Sequence, residues 1–374
     1  MKANIFNRVR GTVVVLVSVG LLAGACSDSD DAATTTGAGP GSQATRPAVI
    51  VDDLEVPWGL AFLPNGDAVV TEREGRLSVI AAGDLEQRRT FDVPGVVPQG
   101  EGGLLGVAVS PAYESDRWIY VYMTTASDNR LVRFRIGPDN RSLAETEVVV
   151  DGIDRARFHN GGRIAFGPDG MLYVATGDAG DRQSAQDASD LNGKILRMTP
   201  DGKPAPGNST PGSLVHSYGH RNVQGLAWDA GGRLYATEFG QNTFDEVNLI
   251  EAGGNYGWPV VEGEAGTQGG RFTNPIVTWT TDEASPSGIA FVREPRGSAL
   301  YVAALRGQRL WRVPLDGDGN TGEPEPMLRG EYGRLRTAAV APDRSLWVMT
   351  SNSDGRGDGA PDRIIRLESG PSPR

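Results

Sequence analysis

Only three histidines occur in this 374-residue chain, at positions 159, 216 and 220. His159 stands in a polar, glycine-rich loop, His159-Asn-Gly-Gly162. An imidazole there suits a general base at neutral pH, or a hydrogen-bonded structural role. Four arginines, Arg221, Arg306, Arg334 and Arg336, lie in loops that prove to be equivalent. A guanidinium fork suits bidentate recognition of carboxylate or phosphate, or local pairing with Asp and Glu. The chain as a whole is acidic, with 47 Asp and Glu against 36 Lys and Arg and a net charge of −11. That balance argues against nucleic acid as a partner, which needs a basic face. A single cysteine excludes an intramolecular disulfide and a thiolate metal cluster.

The elements that must position these residues show as an internal repeat. Six segments share a small or polar residue, an apolar residue, alanine and an apolar residue: 59–62, 106–109, 163–166, 225–228, 288–291 and 337–340. Each is followed by a second short apolar run and, after a variable loop, by a third, with a weaker fourth before the next unit (147–150, 213–215 and 275–279). Runs this short without a helical period read as strands. Six four-stranded units predict an all-β fold, a six-bladed β-propeller with antiparallel blades. The recurrent alanine fits a crowded innermost strand. Val49–Val51 is expected to supply the outer strand that closes the ring with the last blade.

Alternating strand direction sorts the loops by face. Loops leading into the first strands carry Trp58, Glu101, His159-Asn160, Arg221-Asn222, 285–287 and 334–336. Loops joining second and third strands carry Glu72-Arg73, Asp178–Asp181, Glu238–Gln241, 305–307 and 351–354. Both sets belong to one end of the axis. Asp316-Gly-Asp-Gly-Asn320 has the spacing of a calcium-loop start, but Met327 stands at the twelfth position and the loop is on the opposite face. It reads as a turn, as do Asp354, Asp358 and Asp362 in their glycine-rich loop. Asn208-Ser-Thr210 has glycosylation spacing, without relevance in a bacterial-type exported chain.

Residues 1–25 read as a signal peptide, with Lys2, Arg8 and Arg10 before a short apolar run and Ala23-Gly-Ala25 before Cys26. A cysteine at that point resembles a lipoprotein signal. The chain is therefore expected to be exported and held at the outer side of the cytoplasmic membrane only through a lipid anchor at Cys26. Residues 26–46 are small and polar, a flexible tether, and 47–374 form the propeller domain.

At the functional loops the sequence resembles the soluble pyrroloquinoline-quinone (PQQ)-dependent sugar dehydrogenases, the glucose/sorbosone dehydrogenase family. The resemblance rests on Gly102-Gly-Leu-Leu-Gly106, His159-Asn-Gly-Gly-Arg163 leading to Gly177-Asp178, Tyr218-Gly-His-Arg-Asn222 with Gln224-Gly225, Asp245-Glu246, and Gly253-Gly-Asn-Tyr-Gly-Trp-Pro259. It implies a six-bladed propeller and a flat tricarboxylate cofactor on the arginine face. Arg306, Arg334 and Arg336 match the basic cofactor-binding positions, with Asn222 and Arg221 also on the cofactor. A calcium ion (Ca2+) would be held through the carbonyls of Gly240 and Gln241. His159 matches the base that deprotonates the sugar C1 hydroxyl, and Asp178 the carboxylate that orients it. The implied reaction takes an aldose to its lactone and passes electrons to an unidentified acceptor. Four positions depart from the soluble glucose enzyme. Glu101 replaces a substrate-side Gln, Arg306 a Lys, Phe158 an Asp and Gln241 a Pro. These departures favour the aldose sugar dehydrogenase branch. Two other readings compete: a binding propeller without chemistry, and a metal-dependent lactonase.

Overall fold

The computed structural model describes residues 47–139 and 141–368. The signal peptide, tether and Cys26 expected from the sequence lie outside the described residues. Six four-stranded antiparallel sheets follow one another along the chain. Their innermost strands are Pro57–Phe62, Leu104–Val109, Ile164–Phe166, Val223–Trp228, Pro286–Glu294 and Leu335–Val340. Each contains one of the six repeat segments, except in blade 3, where the strand is the last three residues of 163–166. Neighbouring blades pack inner strand to inner strand, except that blade 3 meets the inner strand of blade 4 through its second strand, and the sixth blade meets the first. Ala48–Leu54 pairs with Asp362–Leu367 and supplies the outer strand of blade 6, so the N-terminal strand closes the ring as expected.

Each sheet is apolar on both faces because each is sandwiched between two others. The buried side chains form six clusters, one at each blade interface. Between blades 1 and 2, Val69, Leu77 and Phe91 meet Val107, Ile119 and Val132. Between blades 5 and 6, Val292, Ala303 and Leu310 meet Leu335, Leu346 and Val348. This double burial makes the strands read as continuous apolar runs rather than as alternating patterns.

Two local expectations need correction. The crowding near the axis falls on the residue two positions before the alanine. A Cβ on Gly59, Gly106, Gly225 or Gly288 would approach the next blade's backbone closer than 3.0 Å. Ala61, Ala165 and Ala339 are only half-buried. Secondly, the outer strand of blade 3 is Val215–Tyr218, not 213–215. Asn208 Nδ2 donates to the Ser213 carbonyl at 2.8 Å, keeping that residue in the preceding loop.

In blade 3 the crowded position is Arg163. Its side chain is buried, stacks 4.3 Å over the Trp58 ring, and donates to the Gln224 carbonyl and Thr337 Oγ1. One guanidinium thus ties blades 1, 3, 4 and 6 together. Burial, and then the charge of Arg336, lower its pKa to about 9.

Candidate active site

His159 sits just before the inner strand of blade 3 with φ of 57°, in the left-handed region that a non-glycine residue rarely adopts. Its amide donates to Glu101 Oε2 at 2.9 Å, which holds the turn. Gly177, across the loop, leaves the space that the His159 carbonyl occupies. His159 Nδ1 lies 2.7 Å from Asp178 Oδ1. The Gly180 amide also donates to Oδ1, and Trp258 Nε1 donates to Oδ2 at 2.8 Å. Burial raises the Asp178 pKa, but its bonds from His159, Gly180 and Trp258 outweigh this and hold it below the usual carboxylate range. Asp178 is therefore ionised. It fixes a proton on Nδ1 and leaves Nε2 as the basic nitrogen.

Arg221 and Asn222 precede the inner strand of blade 4. Glu238, at the end of the second strand, accepts from both their amides. Its Oε2 also meets His220 Nδ1 at 2.9 Å, while His220 Nε2 meets Ser217 Oγ at 2.9 Å. Ser217, His220 and Glu238 have the order of a hydrolytic triad. All three are buried, and His220 stacks on Tyr256, so they serve as a scaffold. Glu238→Ala would strand two buried amides and an imidazole. It is expected to cost about 3 kcal/mol or more of stability, read by urea unfolding.

Arg334 and Arg336 flank one carboxylate, Asp354, at 3.0 and 3.6 Å. Burial and neighbouring guanidinium groups push Arg336 down to about 10, opposed by Asp354. Burial raises the Asp354 pKa, but the two arginines outweigh it and keep the carboxylate ionised. The turn role expected for Asp354 is thus incomplete: it is the buried counter-ion of the arginine pair. Asp362 is also buried, receiving hydrogen bonds from Thr350, Asn352 and Ser353. Asp316 accepts from Asp318 and Asn320 within its own turn.

Arg306 lies apart from this pair. Its exposed side chain forms an ion pair with Asp282, also exposed. Glu101, expected at the substrate, has both oxygens engaged, one by the His159 amide and the other by Arg356 at 2.8 Å. It acts on the site by holding the His159 turn.

The Gly240–Gln241 loop wraps around carboxylates. Glu262 Oε1 accepts from the amides of Gln241, Asn242, Thr243 and Phe244, and Asp245 Oδ1 from that of Gly240. Burial raises the Asp245 pKa to about 6 and also raises that of Glu246. With the loop's amides turned to these carboxylates, its backbone carbonyls are the oxygens of a type that suits a hard divalent cation, and among the described residues no three acidic or histidine side chains converge on one point.

A cavity at this end of the axis draws residues from all six blades, among them Trp58, Glu101, Gly161, Phe239, Leu305 and Arg336. Four buried donors of the surrounding loops have no hydrogen-bond partner among the described residues: Arg221 Nε, Asn222 Nδ2, Arg334 Nε and Arg336 Nε. Buried donors are normally paired, so these four, half of the eight unpartnered buried polar side-chain atoms among the described residues, are available to acceptors outside the chain. A planar polycarboxylate with carbonyl oxygens would satisfy them.

Fold and loops together define a propeller with a carboxylate-paired histidine near an arginine-lined cavity. The Glucose / Sorbosone dehydrogenase family model matches residues 54–366, and the chain belongs to that family of sugar oxidoreductases. Among relatives, Aldose sugar dehydrogenase YliI of Escherichia coli is 30% identical, covering 82% of this chain and 90% of its own. Quinoprotein glucose dehydrogenase B of Acinetobacter calcoaceticus is 33% identical over 60% of this chain and 55% of its own. The solved PQQ-bound aldose sugar dehydrogenase of Streptomyces coelicolor is similar at 51% identity with a TM-score of 0.80, covering 88% of this chain and 99% of its own.

Proposed function

We propose that this protein is a PQQ- and calcium-dependent aldose dehydrogenase that oxidises the C1 hydroxyl of sugars to lactones. The four unpartnered donors on Arg221, Asn222, Arg334 and Arg336 carry this reading, because a quinone tricarboxylate supplies the acceptors they lack. Arg334 and Arg336 would hold cofactor carboxylates, with Asp354 fixing both guanidinium groups. The carbonyls of Gly240 and Gln241 would hold calcium. Bound PQQ would supply the two-electron acceptor for the C1 hydride.

The chain's own part is proton transfer and charge control. His159 Nε2 takes the C1 hydroxyl proton as the C1–H bond breaks and the C1=O bond forms. Asp178 stabilises the imidazolium that results. Arg221, held by Glu238 and stacked 5.4 Å from Trp258, neutralises negative charge developing on the acceptor side. The sugar enters past Phe158, whose exposed ring meets His159 edge-on. The electrons leave to an acceptor outside this chain. Export and anchoring at Cys26 would place the reaction at the outer face of the cytoplasmic membrane.

The test is reconstitution. Chelator-stripped protein is expected to reduce a redox dye only with PQQ, calcium and an aldose together, and omission of any one is expected to abolish turnover. Dye reduction that persists without quinone would overturn the proposal.

A further inference from the structure

We propose that Arg73, on the loop after the second strand of blade 1, is a cofactor-binding residue that grips a carboxylate of the quinone. The inference rests on the PQQ reading above. Arg73 lines the axial cavity beside Trp58, Arg336 and Asp354. Its backbone is pinned on both sides. The Arg73 amide donates to the Val56 carbonyl at 3.1 Å, and its carbonyl accepts from Leu104 at 2.9 Å. The stem of the side chain passes over Gly103, which has φ of +143°, and a Cβ on Gly103 would strike the Arg73 carbonyl and Cγ. The second glycine of Gly102-Gly-Leu-Leu-Gly106 thus makes room for this arginine.

Charge accounting points the same way. The adjacent Glu72 is buried and already paired with Arg76 and Ser78. Asp354 is shared by Arg334 and Arg336, and Glu101 is paired with Arg356. The Arg73 guanidinium forms no hydrogen bond or ion pair among the described residues. It is close enough to Arg336 to lower that residue's pKa, after burial and the larger influence of Arg334. Two like charges beside one cavity are stabilised by an anion between them. Arg306, by contrast, is directed to Asp282 on the exposed rim.

The test is titration of chelator-stripped protein with PQQ in the presence of calcium, followed by quenching of tryptophan fluorescence. Arg73→Met is expected to weaken quinone binding by about 30-fold or more. Arg73→Lys, which keeps the charge and loses the fork, recovers part of the loss. Thermal unfolding of the quinone-free variants stays at the wild-type temperature, because the guanidinium has no partner to lose. Gly103→Ala, which displaces Arg73 without removing its charge, is expected to weaken binding as well. Wild-type binding with an unchanged Arg73→Met constant would overturn the role of Arg73 alone. A wild-type chain that does not bind quinone would overturn the proposed function and this assignment with it.

Discussion

Replacing His159 with alanine is expected to lower kcat with an aldose by about 10²- to 10⁴-fold, the range for loss of a positioned base. Quinone affinity is expected to hold, because no donor to the cofactor is removed. Asp178→Asn separates orientation from charge. His159 Nδ1 and the Gly180 amide both meet Oδ1 of the native carboxylate and Trp258 Nε1 alone meets Oδ2, so the amide oxygen of the substituted side chain takes the Oδ1 place. The proton on Nδ1 is kept, and the NH2 group is set against Trp258 Nε1. What is lost is the negative charge that stabilises the imidazolium. A smaller loss of kcat than for His159→Ala is expected, with a lowered melting temperature. Steady-state kinetics at saturating quinone and calcium would check both variants. Activity within about twofold of wild type for Asp178→Asn would show that the carboxylate charge does not assist the base.

Arg336→Met should show the second large effect, on cofactor binding rather than on the proton step. Arg336 is buried, shares Asp354 with Arg334, and donates to Gln224 Oε1 at 3.2 Å. Removing it takes away one cation and leaves Asp354 opposed by Arg334 alone. The residual charge near the quinone carboxylates then becomes less positive, and the Kd for PQQ is expected to rise by about 100-fold or more. Saturating the variant with quinone should return most of kcat, because His159 and Asp178 lie on blade 3 and do not bond to Arg336. A titration of quinone against initial rate separates the two quantities.

The fold was legible because the blades repeat one local pattern at the innermost strand, and because Val49–Val51 had no other partner in sequence. The alanines drew attention to the correct strand, while the steric demand fell on Gly59, Gly106, Gly225 and Gly288. Sequence spacing marks a strand more readily than it marks which residue of that strand faces a neighbouring backbone. Within the site, His159 with Asp178 and Arg334 with Arg336 come together as the sequence reading expected. Long-range partners were not legible. Trp258 reaches Asp178 across 80 residues, and Glu238 locks the two amides at 221 and 222 from the neighbouring strand of the same blade. Asp354 looked like one more aspartate in a glycine-rich turn, and nothing local marks it as the counter-ion of two buried arginines. Arg306 and Arg73 show the same limit in opposite directions. Spacing placed both on the right face, but the direction of each side chain depends on neighbours, Asp282 for one and Gly103 for the other.

The central claim is that His159 and its neighbours promote removal of the C1 hydrogen of an aldose onto a bound quinone. A single-turnover experiment tests it most directly. Protein loaded with PQQ and calcium is mixed rapidly with an aldose carrying either hydrogen or deuterium at C1, without dye, and the quinone absorbance is followed. Bleaching that is slower with deuterium, and nearly lost in His159→Ala, is the predicted result. Bleaching at one rate for both isotopes and both proteins, or none with any aldose, would contradict it.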